Sequence, residues 1–220
     1  MRRADIDPNL ERALPHHGNR HGRSERARQA VLRAADDLLV ERGFAGVTIE
    51  AIAAKAGVAK QTIYRWWASK TDVLMDAYLE DAAEDLTPPD RGELGCDLRA
   101  YLRGLAMFLV RSDPGEVFKA LIGQAQHDPD VAAAFRGRCI GEQRDRDRLP
   151  LERAVTRGEL ARDLDLDTAV DQLVGPIYYR VLVTGQDVDP AFIDALVDGF
   201  LRWAEAGEPM DPNERRAGRA

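Results

Sequence analysis

The chain has 220 residues, 31 Lys+Arg against 38 Asp+Glu, and a formal net charge of −7. Its length holds one medium domain or a small one joined to a medium one, and 45% hydrophobic residues exclude a disordered chain. The net charge argues against a nucleic-acid binder, but it averages two unlike parts: residues 1–70 carry 13 bases and 8 acids, residues 71–220 carry 18 and 30. A basic N-terminal part on an acidic remainder is the pattern of a binding arm on a larger body.

Cys96 and Cys139 are too few for a disulfide framework and fit a reducing, cytoplasmic setting. As redox sensors they compete with the plainer reading of structural thiols. The longest apolar runs, near 105–110 and 177–183, are short or contain Arg180, so no membrane span is expected. The first twenty residues lack the apolar segment of a secretory signal.

Residues 1–23, with Pro8, Pro15, Gly18 and Gly22, read as a flexible arm. His16, His17 and His21 lack a Cys or carboxylate cluster to complete a metal site, so no metal or other cofactor is expected. Ser24 can cap a first helix carrying Ala27, Ala30, Val31, Ala34, Leu38 and Leu39, which Gly43 stops. Residues 48–56 form a second, capped by Thr48, with Ile49, Ile52 and Ala53 as its stripe; Gly57 breaks it. Residues 59–66 form a third. Ser69 caps a fourth, which ends before Pro88-Pro89.

Five more helices follow. One spans 94–110, with Leu98, Leu102, Leu105 and Leu109 on one stripe. One spans 116–126. A long one starts near Asp130 and runs towards Arg157, with Pro150 as the place to kink or split. The last two cover 167–184, where Pro176 should kink the helix, and 190–205. No strand-like alternation appears, so the chain is expected to be all-α, with about nine helices.

The second and third helices meet at a tight turn, Gly57-Val58, which is the layout of a helix-turn-helix. From Ala51 to Thr71 there are four bases, Lys55, Lys60, Arg65 and Lys70, and no acid. Thr48, Gln61, Thr62, Tyr64 and Ser69 add the donors that phosphate contacts use. Ile52, Val58 and Ile63 should face the core, and Trp67 should pack between helices, whereas Trp66 has base stacking as an alternative.

The segment FAGVTIEAIAAKAGVAKQTIYRWWASKTDVL resembles the N-terminal domain of the TetR family of bacterial transcriptional regulators. Phe44, Gly46, Thr48, Ala53, Ala56, Gly57, Val58, Tyr64 and Lys70 match the family's pattern; Trp66-Trp67 replaces its usual His-Phe. The resemblance covers about residues 24–75 and is diffuse beyond, although LVGPIYYRVLVTG followed by DPAFIDALVDGF is similar to the last two helices of many members. It implies that Thr48, Tyr64 and Lys70 hold the phosphate backbone of double-stranded operator DNA. Lys60 and Gln61, with Thr62 beside them, then read bases, since Lys suits guanine and Gln adenine.

The resemblance also implies an arm at 1–23, a DNA-binding domain at 24–70, an effector-binding and dimerisation domain at 71–205, and a tail at 206–220. Val170, Leu173, Val174, Ile177 and Val181, with Phe192, Leu196 and Phe200, form stripes wide enough for a homodimer interface or for the chain's own core. A helix-turn-helix unit generally needs a partner to span two half-sites, which favours the dimer. Tyr101, Phe108, Phe118 and Tyr178 are the candidate lining of an effector pocket, against the alternative of a filled core. The RDRDR run at 144–148 reads as a solvated helix face. No Glu-x-x-His pair, Gly-rich phosphate loop or nucleophile–base signature points to an enzyme. The expected function is a repressor released by a small-molecule effector, with an effector-free DNA-binding regulator as the alternative.

Overall fold

The structure, a computed structural model, describes residues 20–206, and the side chains of 24–205. The expected arm with its three histidine side chains, and the expected tail, lie outside these described side chains. Every regular element among the described residues is helical.

The first helix, α1, spans Arg20–Gly46, so Ser24 lies inside it and does not cap it. No proline stands between Pro15 and Ser24 to stop the helix from extending. Gly43 breaks its path with φ 66° and ψ 175°, a conformation that costs a side chain-bearing residue dearly. α2, Ile49–Ala56, starts as expected at Thr48, whose Oγ1 accepts from Ala51 N at 3.1 Å. Gly57 ends it with φ 67°, and its N–H donates to Ala53 O. α3 is short, Lys60–Tyr64. α4, Lys70–Asp85, opens with a capping box: Ser69 Oγ accepts from Asp72 N, and Asp72 returns the bond to Ser69 N at 3.0 Å.

The second part begins with α5, Leu94–Arg111, and α6, Asp113–Ala125. α7, Pro129–Phe135, passes through a π-helical turn, Arg136–Ile140, into α8, Gly141–Arg157. This run is one rod with its irregularity at the π turn; α8 continues through Pro150, where the kink was expected. α9, Leu166–Tyr179, contains Pro176 and gives way to a second π turn, Arg180–Thr184. α10 is Pro190–Ala206. Counting α7 and α8 as one rod gives nine helices among the described residues.

α1 packs on α2, α4 and α6; α5 packs on α6, α8 and α10; α8 and α10 both pack on α9. One continuous core runs through all of these, from Leu38, Ile52 and Ile63 to Leu102, Ile177 and Val197. The helix-turn-helix therefore sits on the same apolar interior as the acidic part. Lys70, where the expected domain boundary falls, is the first residue of α4, the helix that touches both halves.

Candidate nucleic-acid interface and interior cavity

Ile52 and Ile63 are fully buried, and α2 packs on α1 and α3 on α2, which turns their other faces outward. Thr48, Lys60, Gln61 and Tyr64 are exposed, Thr62 and Lys70 half-buried. Tyr64 is 55% exposed, a large aromatic with no core to fill. The first turn of α3 has no side-chain cap, and Thr62 N donates to Ala59 O at 2.9 Å.

The four bases divide. Lys55 is held by Glu41, and its Nζ is 3.2 Å from Asp37, so it braces α2 against α1. Lys60 pairs with Glu50 at 2.9 Å. Glu50 stands one residue before the acid-free stretch read from the sequence, which is why that reading missed it. Both partners are exposed, and such a pair stabilises little, so the Lys60 ammonium can exchange Glu50 for a phosphate or a base edge. Lys70 Nζ donates to Phe44 O at 2.7 Å and lies 4.0 Å over the Phe44 ring. Partial burial lowers its pKa. It ties the end of α1 to the start of α4 and keeps two further N–H donors.

Trp67 is buried, as expected, and its indole donates to Asp76 Oδ2 at 2.7 Å. Trp66 is half-buried and meets the Trp67 ring edge-on at 5.4 Å.

The candidate effector residues are mostly core. Tyr101, Phe108 and Phe118 are buried, and Phe118 packs between Tyr78, Phe135 and Tyr178 with ring centroids 5.4–5.7 Å apart. Of the four candidates Tyr178 lines a cavity, a space of about 190 Å³ between α8 and α9. Ile140, Gln143, Asp147, Val174 and Gly175 line it with Tyr178, and the Arg144–Asp171 ion pair completes the wall. Tyr101 touches it indirectly: its hydroxyl donates to Asp147 Oδ1 at 2.7 Å, and Gln143 Nε2 donates to the same oxygen at 2.9 Å. Burial pushes the Asp147 carboxyl above its ordinary pKa, against the pull of these two donors. The Tyr178 hydroxyl is buried without a partner. The RDRDR run, expected to be a solvated face, therefore supplies one buried acid, Asp147. Its period is helical, and Asp147 stands one turn from Gln143 on the inner side.

The dimer candidates divide by burial. Val170, Leu173, Val174, Ile177 and Phe200 are buried within one chain, because the stripe is wide enough for its inner half to serve this chain's own core. Val181, Phe192 and Leu196 remain half-buried. Tyr179, Val183 and Trp203, missed as interface candidates, are 58%, 70% and 39% exposed. Cys139 is buried and Cys96 exposed; burial pushes the Cys139 thiol up to about 12, the mark of an inert structural thiol.

A groove of about 610 Å³ runs where α1 and α2 meet α4 and α6. Asp36, Asp37, Asp81, Asp85 and Asp113 line it, with Arg33 and Lys55. Burial first, then the neighbouring carboxylates, pushes Asp36 up to about 8 and Asp81 to about 6. Asp36 Oδ1 is buried with no hydrogen-bond partner. A folded chain that keeps a proton its unfolded form releases near pH 4 loses stability as pH rises from there to about 8. Asp36→Asn removes that penalty. The melting temperature of the variant minus that of the parent should be small at pH 5, grow to pH 8 and then level off. A difference independent of pH would show that Asp36 is ionised throughout.

Similarity to known proteins falls along the same division. A family described as "Bacterial regulatory proteins, tetR family" matches residues 31–77, and one described as "Tetracyclin repressor-like, C-terminal domain" matches residues 88–200. The HTH-type transcriptional regulator YdeS of Bacillus subtilis is 39% identical over 84% of this chain and 92% of its own. The DNA-binding transcriptional repressor TetR of Mycobacteroides abscessus is 31% identical over 81% of this chain and 94% of its own. The crystal structure of TetR family transcription regulator SCO0332 superposes with a TM-score of 0.71 at 37% identity, over 80% of this chain and 97% of that one.

Proposed function

Since this chain belongs to the TetR family of bacterial transcriptional regulators, we propose that it is a homodimeric repressor that leaves its operator when a small molecule fills the cavity between α8 and α9. One observation carries the DNA side: Lys60, Gln61 and Tyr64 stand exposed on a helix whose Ile63 is locked in the core. Thr48, Tyr64 and Lys70 hold phosphates on either side, and Lys60 and Gln61, with Thr62, face base edges. A relative named as a repressor supports repression. Tyr179, Val183 and Trp203, beside the half-buried Val181, Phe192 and Leu196, supply an apolar face on the last two helices for a second copy. The buried, unpaired Tyr178 hydroxyl supports a ligand in the cavity, because an orphaned polar group gains by finding a partner. The protein acts by binding rather than by catalysis, on DNA in the cytoplasm.

The test is selection of duplexes from a random pool, followed by titration at several salt concentrations. Gln61→Ala should relax preference at one position per half-site, about 1–3 kcal/mol of discrimination, and leave the salt slope unchanged. Lys70→Ala should weaken all duplexes alike and lower the slope by about one unit. Loss of affinity in Gln61→Ala with full discrimination would remove Gln61 from base reading, and an unchanged slope would remove Lys70 from the phosphates.

A further inference from the structure

One charged side chain reaches from the turn beside the cavity to the DNA-binding unit, next to the apolar contact of Tyr178 with Phe118 and of Phe118 with Tyr78 on α4. Arg138 lies in the π-helical turn Arg136–Ile140, which packs against α4. Its guanidinium binds Asp76 Oδ1 and comes within 3.7 Å of Asp72 Oδ1, one turn earlier on α4. Both acids already serve the DNA-binding unit. Asp76 Oδ2 accepts the Trp67 indole N–H at 2.7 Å, in the segment leaving α3. Asp72 Oδ2 accepts Ser69 N and Ser69 Oγ, the cap that starts α4 beside Lys70. The same π turn ends in Ile140, which lines the cavity.

We propose that Arg138 is a latch: the π turn holds it on Asp76 while the cavity is empty, and a ligand pressing on Ile140 rewinds the turn and withdraws it. This rests on the reading that the cavity controls DNA binding, and names the residues that carry the control. A π turn holds its backbone with i→i+5 bonds, and a return to α-helical winding redirects the side chains that it carries. Removal of Arg138 takes away the base that Asp72 and Asp76 share; Arg28 stays 4.0 Å from Asp76 Oδ2, but the two carboxylates, one turn apart on α4, repel each other more strongly. Asp76 then no longer has both oxygens fixed, and the Trp67 indole loses a rigid partner. Trp67 follows α3 by only two residues, Arg65 and Trp66, so the setting of Lys60 and Gln61 relaxes with it. Arg138 is a positioning residue in this scheme and touches no DNA. Linkage makes the coupling reciprocal: operator DNA, by favouring the latched state, weakens ligand binding by the same factor.

The test needs no ligand. Apart from its chain neighbours and the backbone of its own helix, nothing lies within 4 Å of where a Cβ on Gly175 would stand, so Gly175→Leu has room to enter the cavity as a permanent occupant. The probe is the duplex enriched by the parent protein from a random pool, and full helicity by circular dichroism is confirmed for each variant. Gly175→Leu and Arg138→Gln should each weaken binding on the order of tenfold, the usual range of allosteric coupling. The double variant should be no weaker than either single one. The slope of log Kd against log salt should not change in any of them, because no phosphate contact is removed. Arg138→Lys should recover most of the affinity. The Trp67 indole N–H resonance should move in the same direction in Gly175→Leu and Arg138→Gln. Full additivity of the two substitutions overturns the latch while leaving control by the cavity intact. Unchanged affinity in Arg138→Gln alone does the same. Unchanged affinity in Gly175→Leu overturns control by this cavity and the latch with it.

Discussion

Phe118→Ala should cost about 3–5 kcal/mol of stability, the range for removing a large buried aromatic side chain. The melting temperature should fall by roughly 10 °C, by the scaling for a chain of this size. Phe118 is fully buried on α6, and its ring joins four elements. Tyr78 of α4 lies 5.4 Å away, Phe135 of α7 5.6 Å, and Tyr178 of α9 5.7 Å and nearly parallel. Tyr78 in turn meets Phe108 of α5 edge-on at 6.1 Å. Each aromatic pair adds to the burial energy through its ring geometry, so the loss should exceed what area alone would give. The residues around the void belong to separate helices held by their own packing, and this limits collapse into the space. Phe118→Leu, which keeps most of the volume, should cost about half as much or less. Thermal unfolding at fixed protomer concentration measures both, since assembly into the proposed dimer would make the midpoint depend on concentration. A loss near 1 kcal/mol for Phe118→Ala would show that these helices close up freely.

This cluster also shows where sequence reading reached its limit. Helical period, caps and breakers located nearly every element, because Thr48, Ser69 and Gly57 act locally and leave local signatures, whereas α6 starts three residues before the expected 116, at a cap by Ser112. The exposed group at Thr48, Lys60, Gln61 and Tyr64 was legible for the same reason: one helical turn and one tight turn place it. The cavity was not legible. Aromatic residues on one stripe signal burial, and burial is equally consistent with a filled core, which is what Tyr101, Phe108 and Phe118 form. The residues that make the space distinctive are Gln143, just before the run of alternating charges that reads as surface, and Asp147 within it. Only their long-range partner Tyr101, 46 residues from Asp147, reveals that they point inward. Charge counting failed similarly at Lys55 and Lys60, since Glu41 and Glu50 are neighbours in space and not in the stretch that was counted. The π turn at Arg136–Ile140 has no proline or strong sequence marker, whereas Pro150, a marker by every local rule, sits inside a continuous helix.

Asp97→Ala should destabilise by about 3 kcal/mol, at the lower end for breaking a buried pair, without altering base preference. Asp97 is 0% exposed in the first turn of α5. Its Oδ1 accepts Arg91 N at 2.7 Å and so fixes the connection that leads from α4 into α5. Its Oδ2 lies 3.5 Å from the Arg157 guanidinium at the end of α8. Alanine leaves the Arg91 N–H without an acceptor and a guanidinium nitrogen buried without its counter-charge. Two features keep the loss from being larger. Arg157 also pairs with Asp90 and Glu159, so its charge is not left alone. Glu159 Oε2 accepts Leu94 N at 2.6 Å, so the start of α5 stays tied to the end of α8 by a second route. Asp97→Asn keeps an acceptor for Arg91 N and loses only the charge, so about 1–2 kcal/mol is expected. Arg157→Ala should cost less than Asp97→Ala, and the double variant should cost less than the sum of the two, because the pair is already broken by either change. Additive losses would mean that the 3.5 Å contact carries no energy and that Asp97 acts through Arg91 alone. All of these contacts lie beyond α4 and involve no residue of α1, α2 or α3, so duplex selection by Asp97→Asn at low temperature should return the parent's sequence.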